Sequence, residues 1–218
     1  MTAAWFSKEN VREQESTNHM QWLKSLFGGR PADESGVSRR ATHENPLVIH
    51  NPKIGFLNLM GAQGRSLVQE DMTALKPLFS TCLQSGGDVP ICDVLMIYAV
   101  IETDGVLQNS SHSLREIIHK SHAPIVVVAT ENGGQSYIAA GKRPGSGKAN
   151  LVMTLKRNGQ IFPSFFKELF GMMHRGVTMP MAWVKLAPQI PGLEHKNVPG
   201  TICAMEVTHV LFKSVSDA

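Results

Sequence analysis

The sequence predicts an α/β fold: a three-layer α/β/α sandwich on a mainly parallel sheet, preceded by an N-terminal helical arm. Three observations predict it. Residues 94–101 and 124–129 are apolar throughout instead of alternating, as a sheet covered on both faces requires. Segments of helical period stand between such runs. Run and helix alternate along the chain at the spacing of βαβ units.

The arm comes first. Residues 7–27 read as a helix, with Ser7 as N-cap and Gly28-Gly29 as its stop. Trp22, Leu23, Leu26 and Phe27 gather at its end and need burial, on the core or on another chain. Residues 28–45 are polar and rich in Gly, Pro, Ser and Arg, so they read as a linker. The expected division is therefore residues 1–45 as helix and linker, and residues 46–218 as the α/β domain.

Residues 54–60 form a first short apolar strand. Residues 66–85 follow with helical period, Leu67, Val68, Met72, Leu75, Leu78, Phe79 and Leu83 sharing one stripe. Pro77 kinks that helix and Gly86-Gly87 ends it. The strand at 94–101 comes next, then a helix over 111–121 with Leu114, Ile117 and Ile118 as its buried stripe. After the strand at 124–129, a further strand covers 150–155. A helix over 161–174 carries Phe162, Phe165, Phe166, Leu169, Phe170 and Met173, and Gly176 closes it. A short helix over 180–188 and a β-like stretch over 201–212 complete the chain.

Composition narrows the function. The 218 residues carry 42% hydrophobic residues, sufficient for one core, and only 18% charged residues, a surface suited to a partner. A net charge of +3, with basic residues scattered in Arg39-Arg40 and Lys142, Arg143 and Lys148, does not argue for nucleic-acid binding. Three cysteines, Cys82, Cys92 and Cys203, make neither a disulfide framework nor a C-x-x-C site. No signal-peptide core and no run near the ~20 apolar residues of a membrane span are present, so a reduced, cytoplasmic setting is expected.

In open α/β sheets, ligands gather beyond the carboxyl ends of the strands. There the sequence places Gly61, Gln63, Gly64 and Arg65, then Glu102, Thr103, Asp104 and Gly105, then Thr130, Glu131, Asn132, Gly133 and Gly134, then Lys156, Arg157, Asn158 and Gly159. Carboxylates stand in the middle of this rim with basic residues on either side. Glu102, Asp104 and Glu131 could hold Mg²⁺ or act as an acid/base pair, with Lys156 or Arg157 on a phosphate; paired loop carboxylates are the simpler account. Residues 141–148 fail as a P-loop, because Gly141 stands one residue too far from Gly147 and Ala149 replaces the Mg²⁺-binding hydroxyl. His112, His119 and His122 cluster without a completing Cys or carboxylate, so neither metal nor cofactor is expected. Met172, Met173, Met179, Met181 and Trp183 read as core packing, or as an adaptable interface if exposed.

The order of strand, Asp104-Gly105, the helix near Ser113-Leu114-Arg115-Glu116-Ile117, and then Ala123 to Gly133 resembles the caspase-like peptidase fold, most closely its bacterial CHAT branch. Gly147 to Leu155, followed by Phe165-Phe166-Lys167-Glu168-Leu169-Phe170, is similar to that family's alanine-asparagine-valine strand and the long helix after it. The resemblance covers about residues 54–190. It implies a histidine before glycine after one strand and a cysteine after the next, the imidazole activating the thiol. Asp104 stands at the histidine position and Glu131 at the cysteine position. A carboxylate is a poor nucleophile toward an amide, and Asp104 cannot imitate a thiol-activating imidazole. The resemblance therefore implies a peptidase fold without the catalytic pair, which works by binding. Glu102, Asp104, Glu131, Asn132, Lys156 and Arg157 are its binding candidates, and Trp22, Leu23, Leu26 and Phe27 its docking candidates. Another protein subunit, or a second copy of the chain, is the expected partner. A phosphate-ligand enzyme or sensor and a generic Rossmann-like interaction domain are the alternatives.

Overall fold

The structure, a computed structural model, describes residues 45–101, 113–129, 150–156, 159–186, 200–205 and 209–214; for 150–156 and 200–205 the description is of the backbone. The chain divides into Met1–Arg39 and Arg40–Ala218, and everything described lies in the second unit.

Its elements are β1 (Leu47–His50), β2 (Lys53–Asn58), α1 (Arg65–Leu75), a 3₁₀ turn (Lys76–Leu78), β3 (Thr81–Ser85), β4 (Val94–Tyr98), α2 (Leu114–Lys120), β5 (Ile125–Ala129), β6 (Asn150–Lys156), α3 (Ile161–His174), α4 (Met179–Leu186), β7 (Gly200–Met205) and β8 (Val210–Lys213). Six strands form one sheet in the order β3-β2-β4-β5-β6-β7. Every neighbouring pair is parallel except β6 with β7, which is antiparallel. β1 and β8 form a separate parallel pair. The expected α/β fold on a mainly parallel sheet is what the chain adopts.

Alternate strand residues feed two separate cores, as a period of two dictates. Phe56, Met96, Tyr98 and Val127 face one side, where they pack with Val68 and Leu75 of α1, the aromatic face of α3, and Phe212 of β8. Leu57, Leu95, Ile97, Val126 and Val128 face the other, against Leu114, Ile117 and Ile118 of α2. β4 and β5 are buried along their whole length, which is why their sequences do not alternate. Phe162, Phe166 and Phe170 lie along α3 with ring centroids 4.8 and 5.7 Å apart. Phe79 meets Phe170 and Phe212 edge-on at 5.4 and 5.8 Å, which ties the 3₁₀ exit to α3 and β8.

The expected helix over 66–85 needs correction. It ends at Leu75, Pro77 sits in the 3₁₀ turn, and Thr81–Ser85 is the edge strand β3. Proline lacks the N–H that would continue an α-helix and disfavours the helical conformation before it, so the stripe seen in the sequence joins two elements. Cys82 consequently lies in a strand, not a helix. β1 carries no signal in the sequence, since only Ile49 of its four residues is buried and no period can show. The stretch over 201–212 resolves into β7 and β8, which belong to different sheets.

Candidate functional site

At the carboxyl edge of the sheet, three neighbouring strands end level. Asn58 of β2 pairs with Tyr98 of β4, and Tyr98 pairs with Ala129 of β5. Leu59 N–H donates to the Tyr98 carbonyl at 2.8 Å, so the β2–β4 ladder continues one residue into the loop. β4 and β5 therefore end side by side at the same edge of the sheet.

Polar side chains fix this edge from beneath. Asn58 Nδ2 donates to the Gly61 carbonyl at 2.8 Å, and its Oδ1 accepts from Met60 N–H at 3.0 Å. The amide thus shapes the turn that enters α1. Gly61 has φ +60, which glycine adopts without a Cβ clash. Gly64 must also lack a side chain, since a Cβ there would stand 2.2 Å from Asn58 Oδ1. About two turns further along α1, Asp71 is fully buried and accepts a 2.6 Å hydrogen bond from the equally buried Tyr98 hydroxyl. Tyr98 stacks on Phe56 at 6.5 Å. Glu70 of α1 meets Gln160 at the start of α3.

The structure brings together the ends of β4 and β5, after which the central sequence candidates follow in the chain. Glu102, Asp104, Glu131, Asn132 and Arg157 lie outside the described residues, as do Trp22, Leu23, Leu26 and Phe27. Lys156 closes β6, paired with Gly200 after an irregularity at Thr154.

Sequence reasoning missed the set of Asn58, Asp71 and Tyr98. A signal existed for Asp71. It falls on the buried stripe of α1 with Val68 and Leu75, where a carboxylate breaks an apolar pattern and demands a partner.

The described thiols stand away from this edge. Cys92 precedes β4, at the opposite end of the strand, and Cys82 is the second residue of β3. Burial pushes the Cys92 thiol up to about 12, with Asp93 beside it adding to the rise. Burial also raises the Cys82 thiol, partly offset by Lys76. A nucleophilic cysteine needs the reverse shift. His119 and His122 are exposed, and no group of three or more His, Cys, Asp or Glu residues suited to a metal occurs among the described residues. Of the methionines near α4, Met172, Met173 and Met179 are buried; Met181 is 41% exposed and Val184 60%. No helix among the described residues is long and apolar enough to cross a membrane. No protein-family model, curated protein or solved structure matches the chain.

Proposed function

We propose that the chain is a catalytically inactive caspase-like domain, a three-layer α/β/α sandwich that serves a cytoplasmic, bacterial system as a protein-binding or regulatory subunit. One observation carries the reading: β4 and β5 are adjacent, parallel and in register, with Tyr98 opposite Ala129. In a caspase-like peptidase, neighbouring strands deliver the histidine and the cysteine to one groove. Here the sequence continues from the same two strands to Asp104 and Glu131. Helices on both faces of the sheet support the layered arrangement. The raised thiols of Cys82 and Cys92, at the other end of their strands, supply no replacement nucleophile.

The docking helix is residues 7–27, with Trp22, Leu23, Leu26 and Phe27 as its apolar contacts, and the rim residues Glu102, Asp104, Glu131, Asn132, Lys156 and Arg157 are the second contact. Proximity is the direct test. In a chain whose cysteines are replaced by alanine, Asp104→Cys with Glu131→Cys is expected to be bridged by a short bis-maleimide within one chain. Failure to bridge in a folded protein overturns the reading. Function is tested with Asp104→Ala and Glu131→Ala together. A binding subunit retains its protein partner through the docking helix, only weakened by the lost rim contact, whereas a phosphate-ligand site loses its ligand altogether.

A further inference from the structure

We propose that Tyr98 and Asp71 form a latch that keeps the rim end of β4 seated against α1. The inference starts from a residue in the wrong place. The inward stripe of α1 is Val68, Asp71 and Leu75, and helix packing alone would favour an apolar residue at its centre. A fully buried carboxylate is costly to desolvate and persists only where bonded groups compensate it. One of those groups is the Tyr98 hydroxyl, which donates to Asp71 Oδ2 at 2.6 Å.

The second part of the argument is position. Tyr98 is the last residue of β4, where the strand gives way to the rim. Its ladder partner Asn58 binds the turn leading into α1. α1 is thus tied to the rim by polar contacts at its entry and at its centre, while its far end packs through Leu75 in the apolar core. Directional bonds fix one geometry where apolar contacts tolerate sliding. Breaking the Tyr98 bond frees the end of β4 and α1 together, and leaves α2, on the other face, undisturbed.

Amide hydrogen exchange on the full chain tests this, and needs no ligand. Tyr98→Phe keeps the ring against Phe56 and removes only the hydroxyl. Exchange is expected to quicken about tenfold, the scale of one lost buried hydrogen bond, in peptides spanning 65–75 and 96–101. Peptides from α2 keep their rate. Asp71→Ala, which removes the acceptor, should do the same, and the double variant should be no faster than the more affected single one. Unchanged exchange, an equal rise in α1 and α2, or additive effects overturn the proposal. Because the readout concerns the chain alone, it can fail while the binding reading stands, and the reverse.

Discussion

Cys92 sits where burial matters more than chemistry. Its thiol is pushed from 9.0 to about 12, so the folded chain keeps this proton where the unfolded chain has released it. Protons bound preferentially by the native state make stability fall as pH rises. The contribution is intact below the unfolded value and is lost progressively from about pH 9 toward pH 12. Denaturant midpoints across that range should show a fall in the wild type that Cys92→Ala reduces. A thiol reagent should accordingly label Cys92 only on unfolding, with half-buried Cys82 reacting first. Gly55 is the neighbouring constraint. A Cβ there would come 2.6 Å from Pro90 Cγ and 2.7 Å from Cys92 Sγ. Gly55→Ala should therefore destabilise by about 1–3 kcal/mol, the usual range for overpacking, read from urea unfolding. The glycine is visible in the sequence; the approach of Pro90 and Cys92 is not, because it joins residues 35 and 37 positions apart (90 − 55 and 92 − 55).

At the scale of elements, legibility follows the strength of the period. α3 was readable almost to the residue, since its phenylalanines mark every turn and Gly176 stops it. β4 and β5 were readable because strands buried on both faces are apolar at every position. The helix over 66–85 failed because Leu78 and Leu83 continue a helical stripe by accident across Pro77. α2 carries a sharper signal. Ser113 and Glu116 form a reciprocal capping box, with the Ser113 N–H donating to Glu116 at 2.9 Å and the Glu116 N–H donating to Ser113 Oγ at 3.2 Å. Ser113→Ala should cost about 1 kcal/mol of stability, a normal N-cap loss. Glu116→Gln should cost less, since an amide oxygen still accepts from the cap. Equilibrium unfolding of the two variants checks the order.

At the scale of the molecule, the described residues form two cores joined through a shared sheet. One was foreseeable from sequence as a set of apolar faces; the polar set beneath the rim was not, because Asn58, Asp71 and Tyr98 meet only once β2, α1 and β4 are assembled. The candidate site was legible to the same degree. Its carrier strands could be recognised from composition, while their adjacency is a property of strand order that no local pattern encodes. That order has a measurable consequence. Leu169 of α3 belongs to the core on one face, and Ile117 of α2 to the core on the other. The sheet lies between them, so the two side chains share no packing partner. Leu169→Ala should cost about 2–5 kcal/mol and Ile117→Val about 0.5–1.5 kcal/mol. Residues without common neighbours combine additively, so the double variant should match the sum within about 0.5 kcal/mol. A coupling well beyond that, measured by urea unfolding of all four proteins, would mean that the faces adjust to each other through the sheet. It would also mean that a change at α2 reaches the rim held by α1, which the separation of the two cores argues against.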